Sequence, residues 1–211
     1  GNKLHRFQKQ ILEKFSDDTN RFVLTAPTSF GKTFIVYQIL QKMKYSTILL
    51  IFPTISLLTE NYERIKAYPF FGGYSIHTLS EEEIDESANN LFIFTPERYL
   101  SFLDSQKGTV FDFAFIDEIY KIDNGYLVDE ETVLENERDV AYRLALEYIC
   151  RQAKDIFLAG PYISLNNDET YNSFLKFTEE NNFQILQYNE FEIVSKQYYE
   201  ISKRGSYNID E

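Results

Sequence analysis

The chain has 211 residues, of which 44% are hydrophobic and 17% aromatic, enough to bury one substantial core as a single large domain. Its formal net charge of -12 repels polyanions, so a broad basic footprint for nucleic acid is excluded and any such contact must be local or shared with another domain. The single cysteine, Cys150, rules out an internal disulfide, and His5 and His77 are too few for a zinc cluster. No signal peptide is visible at Gly1 to Arg6, and no apolar run reaches the roughly 18 residues of a membrane span, so a cytoplasmic location is expected. Gly1 in place of methionine and the polar end at Asn208 to Glu211 read as a piece of something longer.

In chain order, short apolar runs alternate with segments of helical period, which predicts repeated βα units and an α/β fold. Strands are predicted at Arg21 to Ala26, Thr47 to Phe52, Tyr74 to Thr78, Leu91 to Phe94, Phe111 to Ile116 and Asp155 to Ala159. Most are continuously apolar, as strands covered on both faces should be. After Pro53-Thr54, Ile55, Leu58, Tyr62 and Ile65 give one apolar face to a helix. Acidic Lys121 to Arg138, with Asn124-Gly125, reads as a long connection and the most mobile region. Val140, Ala141, Leu144, Ala145 and Tyr148 then form the expected core stripe of a helix carrying Cys150 as a small buried hydrophobe. From Gln184 the pattern weakens, and Glu192 to Val194 with Tyr198-Tyr199 looks like a strand leading out of the domain.

Two stretches carry chemistry. Ala26-Pro27-Thr28-Ser29-Phe30-Gly31-Lys32-Thr33 lies between a strand and a helix, the context of a phosphate-cradling loop, with Ala26 where the first glycine is usual. There, backbone N–H groups and the helix N-terminus face the phosphates. Lys32 would reach the β- and γ-phosphates and the Thr33 hydroxyl would bind a magnesium ion, so ATP and Mg2+ are the expected ligands. The second is Asp117-Glu118, two carboxylates at the end of a buried strand and thus at the sheet edge where such folds bind ligands. Asp117 would hold the metal, and Glu118 would orient and deprotonate the attacking water. Read blandly, the first stretch is a polar turn and the second an ordinary strand end.

Together these motifs resemble the N-terminal RecA-like domain of a superfamily 2 helicase of the DEAD/DEAH-box and Ski2-like kind, from about Leu4 to Ile163. The resemblance implies a RecA-like P-loop NTPase domain, with a mostly parallel central sheet and helices on both faces. It implies an ATP hydrolase that drives a helicase or translocase. Leu4 to Gln8 is similar to the element whose glutamine reads adenine, with Gln8 at that position and Gln10 as the alternative; Gln8 thus joins Thr28, Ser29, Phe30, Gly31, Lys32 and Thr33 as nucleotide-binding. Phe52 to Leu57 and Phe94 to Arg98 are similar to two motifs that contact the nucleic-acid backbone, which nominates Thr54, Thr95 and Pro96; without the family, these would be helix caps.

Asp117-Glu118-Ile119-Tyr120 matches the acidic motif with its last two letters changed. Ala159-Gly160-Pro161 stands where Ser-Ala-Thr is usual, and loses both hydroxyls that link hydrolysis to strand movement. Residues 1–190 are expected to form the ATP-binding domain, and 191–211 a linker towards a second RecA-like domain that supplies arginines. The partners implied are nucleic acid, DNA or RNA, and that second domain, with no membrane. The alternatives are a P-loop kinase or nucleotide hydrolase acting on small molecules, and a non-catalytic nucleotide-binding module of a larger assembly.

Overall fold

Apolar residues at consecutive strand positions face opposite sides of a sheet, so a run such as Thr47-Ile-Leu-Leu-Ile51 must be covered above and below. In the computed structural model this happens throughout. The structure describes residues 6–27, 30–106, 108–119, 133–160, 169–188, 199–201 and 207–209, with the backbone alone for 133–138, 169–174 and the last two segments. Strands β1 (Arg21–Thr25), β2 (Thr47–Ile51), β3 (Tyr74–His77), β4 (Asn89–Phe94), β5 (Phe111–Ile116), β6 (Ala153–Gly160) and β7 (Gln184–Gln187) form one sheet in the order β3-β4-β2-β5-β6-β1-β7. Every pairing in it is parallel.

Register builds the core in rows. Phe22, Phe157, Phe115, Leu50 and Ile93 are successive cross-strand partners, all on one face, where they meet α1 (Arg6–Lys14), α2 (Lys32–Met43) and α3 (Ile55–Lys66). The neighbouring row, Val23, Leu158, Ile116, Ile51 and Phe94, faces α4 (Pro96–Ser105) and α5 (Val133–Gln152) on the other side. A further helix, α6 (Glu169–Glu180), adds Phe177 to that layer. Burying each such side chain stabilises by about 1.5–3 kcal/mol, so packing on the two faces of the sheet is the main source of stability in this fold.

Three expectations need correction. Of the expected stripe, Val140, Leu144 and Tyr148 are exposed, at 42%, 42% and 44%, while Ala145 is buried as expected, on a face shared with Tyr142, Leu146, Ile149 and Cys150. Both sets have helical spacing, and the second is the broader apolar face, so it wins the packing against α4 and the sheet. On α3, Leu58 and Ile65 are buried as expected, but Ile55 is 61% exposed and Asn61 is buried with them. The long connection ends earlier than expected, because Val133 to Arg138 already belong to α5; residues 121–132 lie outside those described. The sequence missed β7, an edge strand in which glutamines at both ends break the apolar run. Tyr199–Ile201 pairs antiparallel with Tyr207–Ile209 as a separate hairpin, β8 and β9, while Glu192 to Val194 and Tyr198 lie outside the described residues.

Cys150 is buried, and burial pushes its thiol up to about 11, so it packs as a hydrophobe. At the edge of the sheet where the strands begin, Asp155 is 1% exposed and fully engaged. It accepts from Asn20 N and Nδ2 (both 2.9 Å) and from the Tyr45 hydroxyl. Asp155→Ala leaves Asn20 N and the Tyr45 hydroxyl unpaired, while Asn20 Nδ2 keeps the carbonyls of Ser16 and Asp18, and chemical denaturation should show a loss of about 3 kcal/mol. In the same assay Ile149→Ala should cost about 2–5 kcal/mol and Leu144→Ala less than about 1, the reverse of the ranking the sequence stripe predicts.

Candidate functional site: a phosphate loop beside an acid turn

Because all seven strands run the same way, the segments that leave β1, β2, β4 and β5 emerge at one edge of the sheet. The loop holding Lys32 follows β1, and Asp117-Glu118 follows β5, with only β6 between them. Two strand spacings put the ends of β1 and β5 about 10 Å apart. A lysine side chain can span most of that.

The loop is shaped by local conformation. Gly31 has φ 75, the left-handed region that glycine enters without cost, and a Cβ there would lie 3.0 Å from Gln8 Nε2. Its carbonyl accepts from Ile35 N, which starts α2. The ammonium of Lys32 folds back into the loop and donates to the carbonyls of Ala26 (3.2 Å) and Pro27 (3.4 Å). Phe30 is buried, and its carbonyl accepts from Gln8 Nε2 at 2.9 Å. Gln8 is therefore a buried brace from α1 onto the loop, and Tyr188, beyond β7, stacks on the Phe30 ring at 5.4 Å and 26°. Thr33 lies in the first turn of α2. Thr28 and Ser29 lie outside the described residues.

The acid turn is held as firmly. Asp117 N donates to Ile51 O (3.1 Å), Asp117 Oδ1 accepts from Glu118 N (2.9 Å), and the Tyr142 hydroxyl donates to Asp117 O. Glu118 has φ 58, an uncommon conformation for a residue with a Cβ. Burial lowers the pKa of Lys32, while the charges of Asp117 and Glu118 raise it. Burial raises the pKa of Asp117, and the Glu118 amide and Lys32 oppose the rise. Each group thus feels the other's charge at the same edge of the sheet.

This donor set fits a magnesium nucleotide. A hard divalent ion there needs one or two protein oxygens, such as Thr33 and Asp117, because phosphates and waters fill its remaining positions. No cluster of three or more His, Cys, Asp or Glu suited to a metal occurs among the described residues.

Thr54 and Thr95 sit at the same edge as N-caps of α3 and α4. Their hydroxyl oxygens accept from Leu57 N (3.3 Å) and Arg98 N (3.4 Å), and Thr95 and Pro96 are buried. The sequence missed Tyr142 and Tyr188, since neither lies in a motif and each reaches the site only through folding; nor did the sequence reveal that Gln8 binds the loop itself.

A family model for the DEAD/DEAH box helicase matches residues 5–154. The chain belongs to the DEAD/DEAH box helicase family. This membership carries the family's motor domain and implies ATP binding with a metal. The chain is 27% identical over 165 residues to Anti-bacteriophage protein B of Escherichia coli (strain K12), a match covering 78% of this chain and 22% of that relative. The chain thus spans about a fifth of the relative's length.

Three solved structures share the fold. The Hef helicase domain of Pyrococcus furiosus has a TM-score of 0.55 at 18% identity and covers 87% of this chain and 38% of its own. A hypothetical ATP-dependent RNA helicase from Sulfolobus tokodaii scores 0.54 at 16%, covering 89% and 54%. The SWI2/SNF2 ATPase core of Sulfolobus solfataricus, in complex with dsDNA, scores 0.59 at 12%, covering 91% and 46%. These neighbours place the chain among RecA-like helicase folds. No helix among the described residues is long and apolar enough to cross a membrane.

Burial raises the folded pKa of Asp117 above its ordinary 3.8, so the folded state disfavours the ionised carboxylate at neutral pH and recovers as pH falls through the folded value towards 3.8. Without nucleotide, Asp117→Asn should therefore melt above the wild type at pH 7, with the gap closing by about pH 4 in thermal scans. Thr25 Oγ1, buried at the end of β1 without a hydrogen-bond partner, predicts that Thr25→Val gains about 1 kcal/mol.

Proposed function

We propose that this chain is the ATP-binding first domain of an ATP-dependent nucleic-acid helicase or translocase. In that reading residues 1–190 form the RecA-like unit and 191–211 lead to a second RecA-like domain in a longer protein. The observation that carries the proposal is the convergence of Lys32 with Asp117 and Glu118 at one sheet edge, each within electrostatic reach of the other.

When bound, magnesium neutralises the γ- and β-phosphate oxygens and lowers the barrier to in-line displacement. The protein groups have separable tasks. The N–H groups of the loop, with the N-terminus of α2, cradle the phosphates, and Lys32 exchanges its two carbonyl contacts for phosphate oxygens. Thr33 and Asp117 hold the ion. Glu118 orients the water and takes its proton. Gln8, already against Phe30, links adenine to the state of the loop.

Nucleic acid would lie over the N-termini of α3 and α4. Amides there attract phosphates without net positive charge, which reconciles binding with a chain of charge -12. Thr54 can touch the strand, while buried Thr95 and Pro96 shape the helix start. The resemblance to a bacterial Anti-bacteriophage protein supports a role for the longer protein in defence against phage.

Completion by arginines from a second domain is worth about a thousandfold or more in rate, so this chain alone should bind Mg-ATP but turn it over slowly. Calorimetry should detect nucleotide uptake by the wild type and by Glu118→Gln, and none by Lys32→Ala. In the longer protein, Glu118→Gln should lose polynucleotide-stimulated hydrolysis and keep binding. Stimulation by a small-molecule acceptor in place of polynucleotide would favour a kinase, and an unchanged rate in Glu118→Gln would refute the assigned base.

A further inference from the structure

β6 ends between the two halves of the site, and its last residue, Gly160, touches both. On the β1 side, Gly160 pairs in register with Thr25, and its carbonyl accepts from Ala26 N at 3.2 Å, the first amide of the phosphate loop. On the β5 side it faces Ile119, the residue after Glu118. A Cβ built on Gly160 would lie 2.7 Å from Ile119 Cγ1, closer than packed carbon atoms approach, and 3.5 Å from Cδ1, an ordinary contact. Gly160 is not among the residues with positive φ, so glycine is required here for space and not for backbone freedom. Ile119 is 1% exposed within the layer of Ile116, Leu158 and Tyr142.

We propose that Gly160 is a positioning residue. Its missing side chain lets Ile119 seat against the end of β6, and this fixes the distance between the acid turn and the phosphate loop. The coupling is short: Ile119 directly follows Glu118, which is held at φ 58, and Glu118 N is bonded to Asp117 Oδ1. A methyl group at 160 must push Ile119 outward and rotate that turn, or push β6 against Ala26. Either movement changes where Asp117 meets the ion of a nucleotide held by Lys32.

The hydroxyl link lost from the Ser-Ala-Thr position is thereby replaced by a steric one, specific to the Gly160 and Ile119 pair. This inference rests on the reading of the site as one for a magnesium nucleotide.

The test is a four-protein cycle of wild type, Gly160→Ala, Ile119→Ala and the double variant. ATP affinity is measured by calorimetry with Mg2+ and with EDTA, beside thermal melting. Gly160→Ala should lose tenfold or more in affinity with magnesium and less than twofold in EDTA. The double variant, which trades an isoleucine and a glycine for two alanines, should return to within threefold of wild type in magnesium. Unchanged Mg-ATP affinity in Gly160→Ala, an equal loss with and without magnesium, or no rescue in the double variant would overturn the proposal. If Gly160→Ala does not fold, the double variant decides: folded with the magnesium increment supports the pair, and unfolded or without the increment refutes it. A wild type that takes up no nucleotide at all would instead sink the reading of the site, and this inference with it.

Discussion

Taking an ammonium and a carboxylate out of water costs several kcal/mol per ion unless they face each other, and this constraint organises the edge of the sheet around Lys32 and Asp117. Burial disfavours the charged form of both, and each offsets part of the other's cost. Neither is saturated by the protein alone. Lys32 leans on two loop carbonyls and Asp117 on one adjacent amide, contacts that a phosphate and a metal ion can replace with stronger ones. Hydrophobic packing across seven strands supplies the stability that such a site uses up.

Locally unfavourable features gather at the same place. Glu118 is left-handed, Thr25 buries a hydroxyl without a partner, and Gly160 leaves no room for a methyl group. The left-handed backbone at Glu118 costs of order 1–3 kcal/mol and persists only where the surroundings over-determine it. Here the surroundings are the ends of β1, β5 and β6, locked by register, with Tyr142 holding the Asp117 carbonyl from α5. The acid turn is thus held in place by the protein's own packing and hydrogen bonds.

Much of this was legible in the sequence, for a physical reason. Strands covered on both faces must be apolar at every position, so β1, β2, β4, β5 and β6 announce themselves, and a parallel sheet then forces their C-terminal ends to one edge. Lys32 and Asp117-Glu118 could be assigned to one cleft from that alone. Three kinds of feature were not legible. Edge strand β7 is half polar, so its pattern fades. On α5, two stripes share the helical period, and only packing against α4 and the sheet decides between Leu144 and Leu146. The contacts of Gly160 with Ile119, and of Gln8 with Phe30, are close approaches between distant segments, which no local spacing encodes.

The matched family stretch ends at residue 154, but the physical unit does not. Most of β6 lies beyond it, including Gly160, and β6 is the strand through which β5 and β1 are joined. β7 pairs with the exposed side of β1, and Tyr188 N donates to Thr25 O at the base of the phosphate loop. The Tyr188 ring then stacks on Phe30 and meets Phe7 of α1 edge-on, so the first helix and the last strand of the sheet clamp the loop between them. The loop that holds Gly31 and Lys32 is thus braced from two sides, by Gln8 and Phe7 of α1 on one and by Tyr188 after β7 on the other.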